Sequence, residues 1–367
     1  MKDVTIGFSG GHTAGHVMPI VALAEAWRTH YPGDHLICYG SPDGLEAELL
    51  RGFDLSFQSL PALPEQGGGI LRRLAAYRAA AGGFLAGRRD MRRRRLDALI
   101  CFGGFACVGA GLAAASLGCP LVVFEANARP GRANRLLAPF ASLKLVAMSE
   151  IRSFASWKNA LSMELPLRAP EAWVDSKTRD SRPTRLLITG GTFGSDVLNR
   201  EAPGLIALLA GRGRRLEVHH QAGTDKKETV EKAYRVAGPS DGIAKVTVSG
   251  FDPELYRRWG WADAALCSAG AGTLAEMAAS GTGGLVVPQA AVADGHQEAN
   301  ARALAARQGL TWLAERDWRS DTVADHLEEV FDAPRRTCTA PVRDLTETVS
   351  TLRAHCLKQD RQERRET

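Results

Sequence analysis

The chain lacks any run approaching the roughly 18 consecutive apolar residues that a membrane-spanning helix requires, so a helix crossing a bilayer is not expected. It also has no Asp-x-Asp pair, the arrangement that would hold a divalent ion between phosphates. Aromatic residues make up only 7% of the chain and no nucleic-acid recognition motif accompanies its basic runs, which argues against a nucleic-acid partner. The seven cysteines, at positions 38, 101, 107, 119, 267, 338 and 356, show no paired metal-ligand spacing. Several lie within apolar strand-like runs and read as buried thiols in a reducing compartment. An apolar run, Val4 to Phe8, stands at the start without a charged-then-apolar leader, so a cytoplasmic protein is expected.

What is present suits two α/β domains. A length of 367 residues exceeds one comfortable core, and 45% hydrophobic residues supply enough material for two. Apolar runs at Val4 to Phe8, His35 to Tyr39, Ala98 to Phe102, Leu121 to Phe124 and Lys144 to Ala147 alternate with helical patterns. That alternation predicts a parallel sheet with helices on both faces. Periodicity lapses between Ser162 and Pro183, which marks a boundary, and restarts at Leu186 to Thr189. The reading is therefore one domain over residues 1–163, a second over 164–340, and a last helix with a charged tail over 341–367.

Each half opens with a strand, a glycine loop and a helix. The first loop is Ser9-Gly-Gly-His-Thr13-Ala14-Gly15-His16, and the second is Gly190-Gly191-Thr192-Phe193-Gly194-Ser195. Small residues allow backbone N–H groups to approach a phosphate, and the following helix adds its positive end. A third such turn, Ser268-Ala-Gly270-Ala-Gly272-Thr273, follows the strand Ala262 to Cys267, with Glu276 one turn further on. Thr273-Leu-Ala-Glu276 fits a capping box equally well, in which case Glu276 only closes the helix. His296, Gln297 and Asn300 follow the next strand end, Gly284 to Val287. Cys101-Phe-Gly103-Gly104-Phe105 and Glu125-Ala126-Asn127 end two strands of the first half, on the sheet edge where ligands of open α/β sheets bind. His16 could act as a base, donate to a phosphate or serve structure alone.

The net charge of +5 is modest, but nine arginines fall within Ile70–Arg95, six of them between Arg88 and Arg95. Interspersed with Leu71, Leu74, Phe84 and Leu85, they form either a solvated helix face or a patch for anionic headgroups, worth about 1 kcal/mol per basic residue near a membrane surface.

In order along nearly the whole chain, these motifs resemble glycosyltransferase family 28, the inverting two-domain (GT-B) enzymes of MurG type. Gly11 to Pro19, Gly44-Leu45-Glu46, Phe102 to Phe105, Glu125-Ala126-Asn127 with Asn134, Pro166-Leu167-Arg168, Gly190 to Gly194 with Leu198-Asn199, His220 to Gly223, Trp261-Ala262-Asp263, Ser268 to Glu276 and His296-Gln297 carry the resemblance. It implies two Rossmann-like domains facing a cleft, the first for the acceptor and the membrane, the second for a UDP-sugar. It implies that Arg168, Gly191, Thr192, Phe193, Gly194, Gly270, Gly272, Thr273, Glu276, His296 and Gln297 meet the donor, with Glu276 on the ribose. His16 and Asn127 would face the reaction centre, and Thr13, Ala14, Gly15, Gly103, Gly104 and Asn134 the acceptor or its phosphates. The implied reaction moves N-acetylglucosamine to a polyprenyl-phosphate-linked acceptor of the peptidoglycan pathway, at the inner face of the plasma membrane, with no metal or other cofactor.

Several positions depart from the family pattern: Phe193 stands where a glutamine is usual, Ser268 where a basic residue is usual, and Ala126, Leu165, His12 and Ala14 replace other habitual residues. A paralogue glycosylating a phosphoglycolipid or natural product, and a UDP-sugar epimerase of the same architecture, are the alternatives.

Overall fold

The computed structural model describes residues 3–11, 13–42, 44, 46–62, 70–168, 182–238, 243–291, 293–308, 310–333 and 345–366, with the backbone alone for 70–77, 293, 307–308 and 358–366. His12, Leu45, most of the Pro61 to Gly69 turn-rich stretch and the middle of the expected boundary lie outside the described residues. The chain divides into two units, Met1–Arg168 with Asp344–Thr367, and Ala169–Arg343. The division thus falls beyond residue 163 and puts Arg168 in the first unit.

The first unit runs β1 (Thr5–Ser9), α1 (Ala14–His30), β2 (His35–Gly40), α2 (Glu46–Leu49), β3 (Ser56–Ser59), α3 (Ile70–Arg94), β4 (Ala98–Cys101), α4 (Ala106–Ser116), β5 (Leu121–Glu125), α5 (Arg132–Leu137), β6 (Leu143–Val146) and β7 (Leu161–Ser162). Its seven strands are parallel in the order β3-β2-β1-β4-β5-β6-β7. β5, Leu-Val-Val-Phe-Glu, is buried throughout, as a strand covered on both faces must be. The helix expected from Pro42 shrinks to Glu46–Leu49. The edge strand β3, Ser-Phe-Gln-Ser, has too little apolar alternation to be seen in the sequence.

The second unit runs β8 (Thr184–Thr189), α6 (Asp196–Gly211), β9 (Leu216–Gln221), α7 (Lys227–Ala237), β10 (Ala244–Ser249), α8 (Arg258–Trp261), β11 (Ala264–Cys267), α9 (Ala271–Ser280), β12 (Gly283–Val286), α10 (His296–Gln308), β13 (Thr311–Trp312) and α11 (Ser320–Asp332). Its parallel order, β10-β9-β8-β11-β12-β13, repeats that of the first six strands of the first unit. Alternation along β8 shows why both faces are covered. Leu186 and Ile188 join a core with α6 and α11, whereas Leu187 points to the opposite core with Trp259, Leu274 and Met277. In both sheets the order reverses at the first strand, β1 against β4 and β8 against β11, and the loops leaving the carboxyl ends there form the ligand-binding crevice of such folds.

The last helix, α12 (Thr346–Glu366), returns to the first unit and packs on α1. Arg353 donates through Nε and Nη2 to both carboxylate oxygens of Asp34, at 2.7 and 2.9 Å. Trp27 Nε1 and the Val4 N–H also donate to Asp34. Burial alone would raise the Asp34 pKa, but the Arg353 and Trp27 hydrogen bonds outweigh it and hold the group below its usual range.

Candidate functional site

In the first unit, the loops after β1, β4 and β5 converge. His16 sits in the first turn of α1 with Nδ1 2.9 Å from the Gly11 carbonyl. A carbonyl only accepts, so Nδ1 carries the proton and Nε2 keeps its lone pair. Nε2 lies beside Gly103: a Cβ placed there would come within 3.2 Å of His16 Nε2 and 3.5 Å of Asn134 Nδ2. Gly103 and Gly104 have φ of +102° and +83°, and a Cβ on Gly104 would come within 2.6 Å of the Gly11 carbonyl. The glycine pair therefore lets the His16 loop close down on the end of β4. Thr13 is the α1 N-cap but makes no side-chain cap bond, so the first-turn N–H groups around Ala14 and exposed Gly15 have no side-chain acceptor from it.

Asn127 and Asn134 are organised by a residue the sequence reading quoted without giving it a role. Glu125, buried at the end of β5, accepts from the Asn127 N–H and Nδ2 through Oε1, and from the Gly131 N–H and Asn134 Nδ2 through Oε2, all at 2.8 to 3.0 Å. Asn134 also donates to the Phe124 carbonyl. Both asparagines therefore turn their amide N–H groups inward. The signal for Glu125 was present in the sequence: a carboxylate directly after four apolar strand residues must find donors.

In the second unit, glutamines do this work. Gln221, ending β9, donates to the Gly191 carbonyl at 3.1 Å and to Thr189 Oγ1, and accepts from the Asp252 N–H. Gln289 donates to the carbonyls of Gly190 and Gly194 at 3.1 and 3.3 Å. Gln297 accepts from the N–H groups of Gln289 and Ala269 through one oxygen, so its carbonyl end is committed to the scaffold and its NH2 end is what a ligand could meet. Through Gln289 and Gln297 these bonds join the Gly190 to Gly194 loop to Ala269, bringing Gly194 and Gln297 of the expected donor residues into one network. Gly191 and Gly194 have φ of +80° and +72°; a Cβ on Gly194 would collide with the Ala222 carbonyl, whereas one on Gly191 meets nothing. Thr192 is buried, its carbonyl taking both the N–H and the hydroxyl of Thr224, and Phe193 stands half exposed beside it. His296 faces Asp294 at 3.9 Å.

The capping-box reading of Thr273 and Glu276 does not hold. α9 starts at Ala271 with Gly270 as N-cap and no side-chain cap bond, so Thr273 lies inside the first turn. Its N–H and those of Ala271 and Gly272 thus lack a capping acceptor, and no acidic residue occupies that turn. Glu276 instead accepts from Trp259 Nε1 at 2.7 Å, and burial, partly offset by that bond, pushes its pKa up to about 7. Arg168, expected at the donor, packs within the first unit, 3.5 Å from Glu25 and with its guanidinium 5.1 Å from the Phe53 ring centroid.

His220 contrasts with His16. It is fully buried, with Nε2 donating to Asn199 Oδ1 and Nδ1 accepting from the Tyr234 hydroxyl, both at 3.0 Å. Asn199 in turn donates to the Ala222 carbonyl that crowds Gly194. Burial drops the His220 pKa to about 3, so it stays neutral and braces the loop. On α3, Leu85, Arg89 and Arg92 are exposed at i, i+4 and i+7 on one face. Among the described residues no helix is long and apolar enough to cross a membrane, and no three His, Cys, Asp or Glu side chains form a metal-holding group.

Two parallel-sheet units with matching strand order and a glycine loop after each first strand are the architecture of the two-domain GT-B class. The chain belongs to glycosyltransferase family 28: residues 6–145 match the family's N-terminal domain and residues 185–350 its C-terminal domain. A curated relative from Alcanivorax borkumensis, named UDP-N-acetylglucosamine–N-acetylmuramyl-(pentapeptide) pyrophosphoryl-undecaprenol N-acetylglucosamine transferase, is 34% identical over 89% of this chain and 90% of its own. One of the same name from Shewanella amazonensis is 33% identical over 93% of this chain and 94% of its own. The crystal structure of Acinetobacter baumannii MurG superposes with a TM-score of 0.66 at 22% identity, covering 96% of this chain and 95% of that one. The glycosyltransferase VinC, solved with dTDP, gives 0.65 at 16% identity, covering 97% of this chain and all of that one; at these identities both show the fold.

Proposed function

We propose that this enzyme moves N-acetylglucosamine from UDP-N-acetylglucosamine to a polyprenyl-pyrophosphoryl muramyl-peptide, with inversion and without a metal. The observation that carries the reading is the shared activity named for relatives that match about nine-tenths of the chain at 33 to 34% identity. His16 Nε2 takes the proton of the attacking acceptor hydroxyl as its oxygen bonds to the sugar C1. The C1–O bond to UDP breaks, and the departing diphosphate is met by the α9 N-terminus at Gly270 to Thr273 and by the Gly190 to Gly194 loop. Glu276 accepts the ribose hydroxyls. The Leu85, Arg89 and Arg92 face of α3 rests on the anionic inner leaflet of the plasma membrane.

The test is UDP release from UDP-N-acetylglucosamine with and without a short-chain lipid-linked muramyl-peptide. Release that depends on the acceptor is expected; donor binding with no acceptor-dependent release would overturn the reading. His16→Ala should lower turnover by about 10²-fold or more while leaving UDP affinity within about twofold, as loss of a general base does.

A further inference from the structure

We infer that Trp259 is a positioning residue of the donor site, its indole N–H holding the Glu276 carboxylate in place to accept the hydroxyls of the nucleotide's ribose. This rests on the reading of Glu276 given above. The Trp259 side chain is fully buried, and its Nε1 donates to Glu276 Oε2 at 2.7 Å, within the range of a charge-assisted bond. Glu276 Oε1 has no protein hydrogen-bond partner among the described residues, so one oxygen is fixed and the other remains for a ligand.

Trp259 is itself anchored at the opposite end. Its carbonyl accepts from Thr282 Oγ1 at 2.8 Å, Thr282 Oγ1 lies 2.8 Å from Ser280 Oγ, and Ser280 Oγ donates to the Met277 carbonyl. Both hydroxyls are buried. One residue of α8 is thereby tied to the middle of α9 by its side chain and to the end of α9 by its backbone, which sets the indole relative to the turn bearing Glu276.

The bond also bears on charge. Burial favours the protonated carboxyl, and the indole N–H opposes this by stabilising the carboxylate. Other titratable or charged groups on the neighbouring elements are engaged elsewhere. Arg258 of α8 lies over the Trp261 ring, Arg257 pairs with Glu254, Arg302 of α10 pairs with Glu298, and His296 faces Asp294. Burial pushes the Cys267 thiol of β11 up to about 12.

The experiment is the pH dependence of UDP affinity in wild type, Trp259→Phe, Thr282→Val and Glu276→Gln, measured calorimetrically from pH 6 to 8.5. Glu276→Gln carries only the nucleotide's own titration and serves as the baseline. Relative to it, the wild-type affinity should rise with a midpoint near 7, where the carboxylate ionises. Losing the charge-assisted bond should move that midpoint up by about one pH unit in Trp259→Phe, weakening UDP binding about fivefold at pH 7 and by less than about 1.5-fold at pH 8.5. Thr282→Val should give a smaller shift of the same sign, which keeps the test open if Trp259→Phe does not fold. In the Glu276→Gln background, Trp259→Phe should change affinity by less than about twofold, because the two act as one unit. Equal weakening at every pH, or the same loss in both backgrounds, would make Trp259 a filler of the core and overturn the inference. A Glu276→Gln protein that binds UDP as wild type does at every pH would instead overturn the reading of Glu276 itself.

Discussion

The two units solve one problem with different chemistry. Each must pin a loop at the carboxyl end of its sheet without covering the backbone groups a ligand needs. After β5 the first unit uses a buried carboxylate, Glu125, which can only accept and therefore gathers N–H groups: those of Asn127, Gly131 and Asn134. The second uses Gln221, Gln289 and Gln297, which both donate and accept. Their NH2 groups, from Gln221 and Gln289, take the carbonyls of Gly190, Gly191 and Gly194, and their carbonyls, from Gln221 and Gln297, take the N–H groups of Asp252, Ala269 and Gln289. Binding the Gly190 to Gly194 loop by its carbonyls fixes its path beyond β8, where the Gly191 N–H donates to Thr189 Oγ1 and the Gly194 N–H to the Gly191 carbonyl. Binding the loop after β5 by its N–H groups holds the asparagine amides inward, while half-buried His16, its Nδ1 on the Gly11 carbonyl, keeps Nε2 as an acceptor beside Gly103.

The comparison breaks most visibly at Glu125. Glu125→Ala strands several buried donors at about 1 to 3 kcal/mol each, so the first unit should lose at least about 3 kcal/mol in denaturant unfolding, with turnover falling in parallel. Glu125→Gln imports the second unit's chemistry and should still cost about 1 to 2 kcal/mol, because the new NH2 faces donors on every side. A fully stable Glu125→Gln would show that acceptor-only character does not matter there.

Gly194→Ala comes next. Its positive φ and the collision with the Ala222 carbonyl should weaken UDP binding by about 10²-fold, whereas Gly191→Ala, equally positive in φ but with open space around it, should cost only about 1 kcal/mol of strain. Equal effects at the two positions would mean that backbone conformation, not close packing, governs the loop.

The smallest effect is a pH dependence. His220 has a folded pKa of about 3 against an ordinary 6.5, so its contribution is complete above pH 6.5 and is lost as pH falls from there towards 3. His220→Gln should be about 1 kcal/mol less stable than wild type at pH 8, and the gap should close by pH 5 in thermal unfolding. The corresponding loss in the first unit, from Asp34 held low by Arg353, begins only below its ordinary 3.8 and proceeds as pH falls further.

Much of this was legible in the residues. Apolar runs bounded by glycine loops located the principal strands of both sheets, because a strand buried on both faces has to be continuously apolar. The first and second loops, the Gly103-Gly104 turn and the turn at Gly270 followed in the same way, since small residues at strand ends permit close backbone approach. The edge strands β3, β7 and β13 were not legible, being short and partly polar. Thr273 and Glu276 matched a capping pattern that the real helix start, at Ala271, set aside.

The sequence by itself thus determined the two-unit α/β class, the glycine loops and the family, because these rest on local periodicity and backbone freedom. Only the tertiary structure decided what each polar side chain does. Glu125 became a hub, Glu276 met Trp259 from another helix, Arg168 packed on Phe53, and His16 and His220 took opposite tautomers. Those outcomes depend on which donors and acceptors the fold brings within about 3 Å, and hydrogen bonding at that range is set by partners distant in the chain.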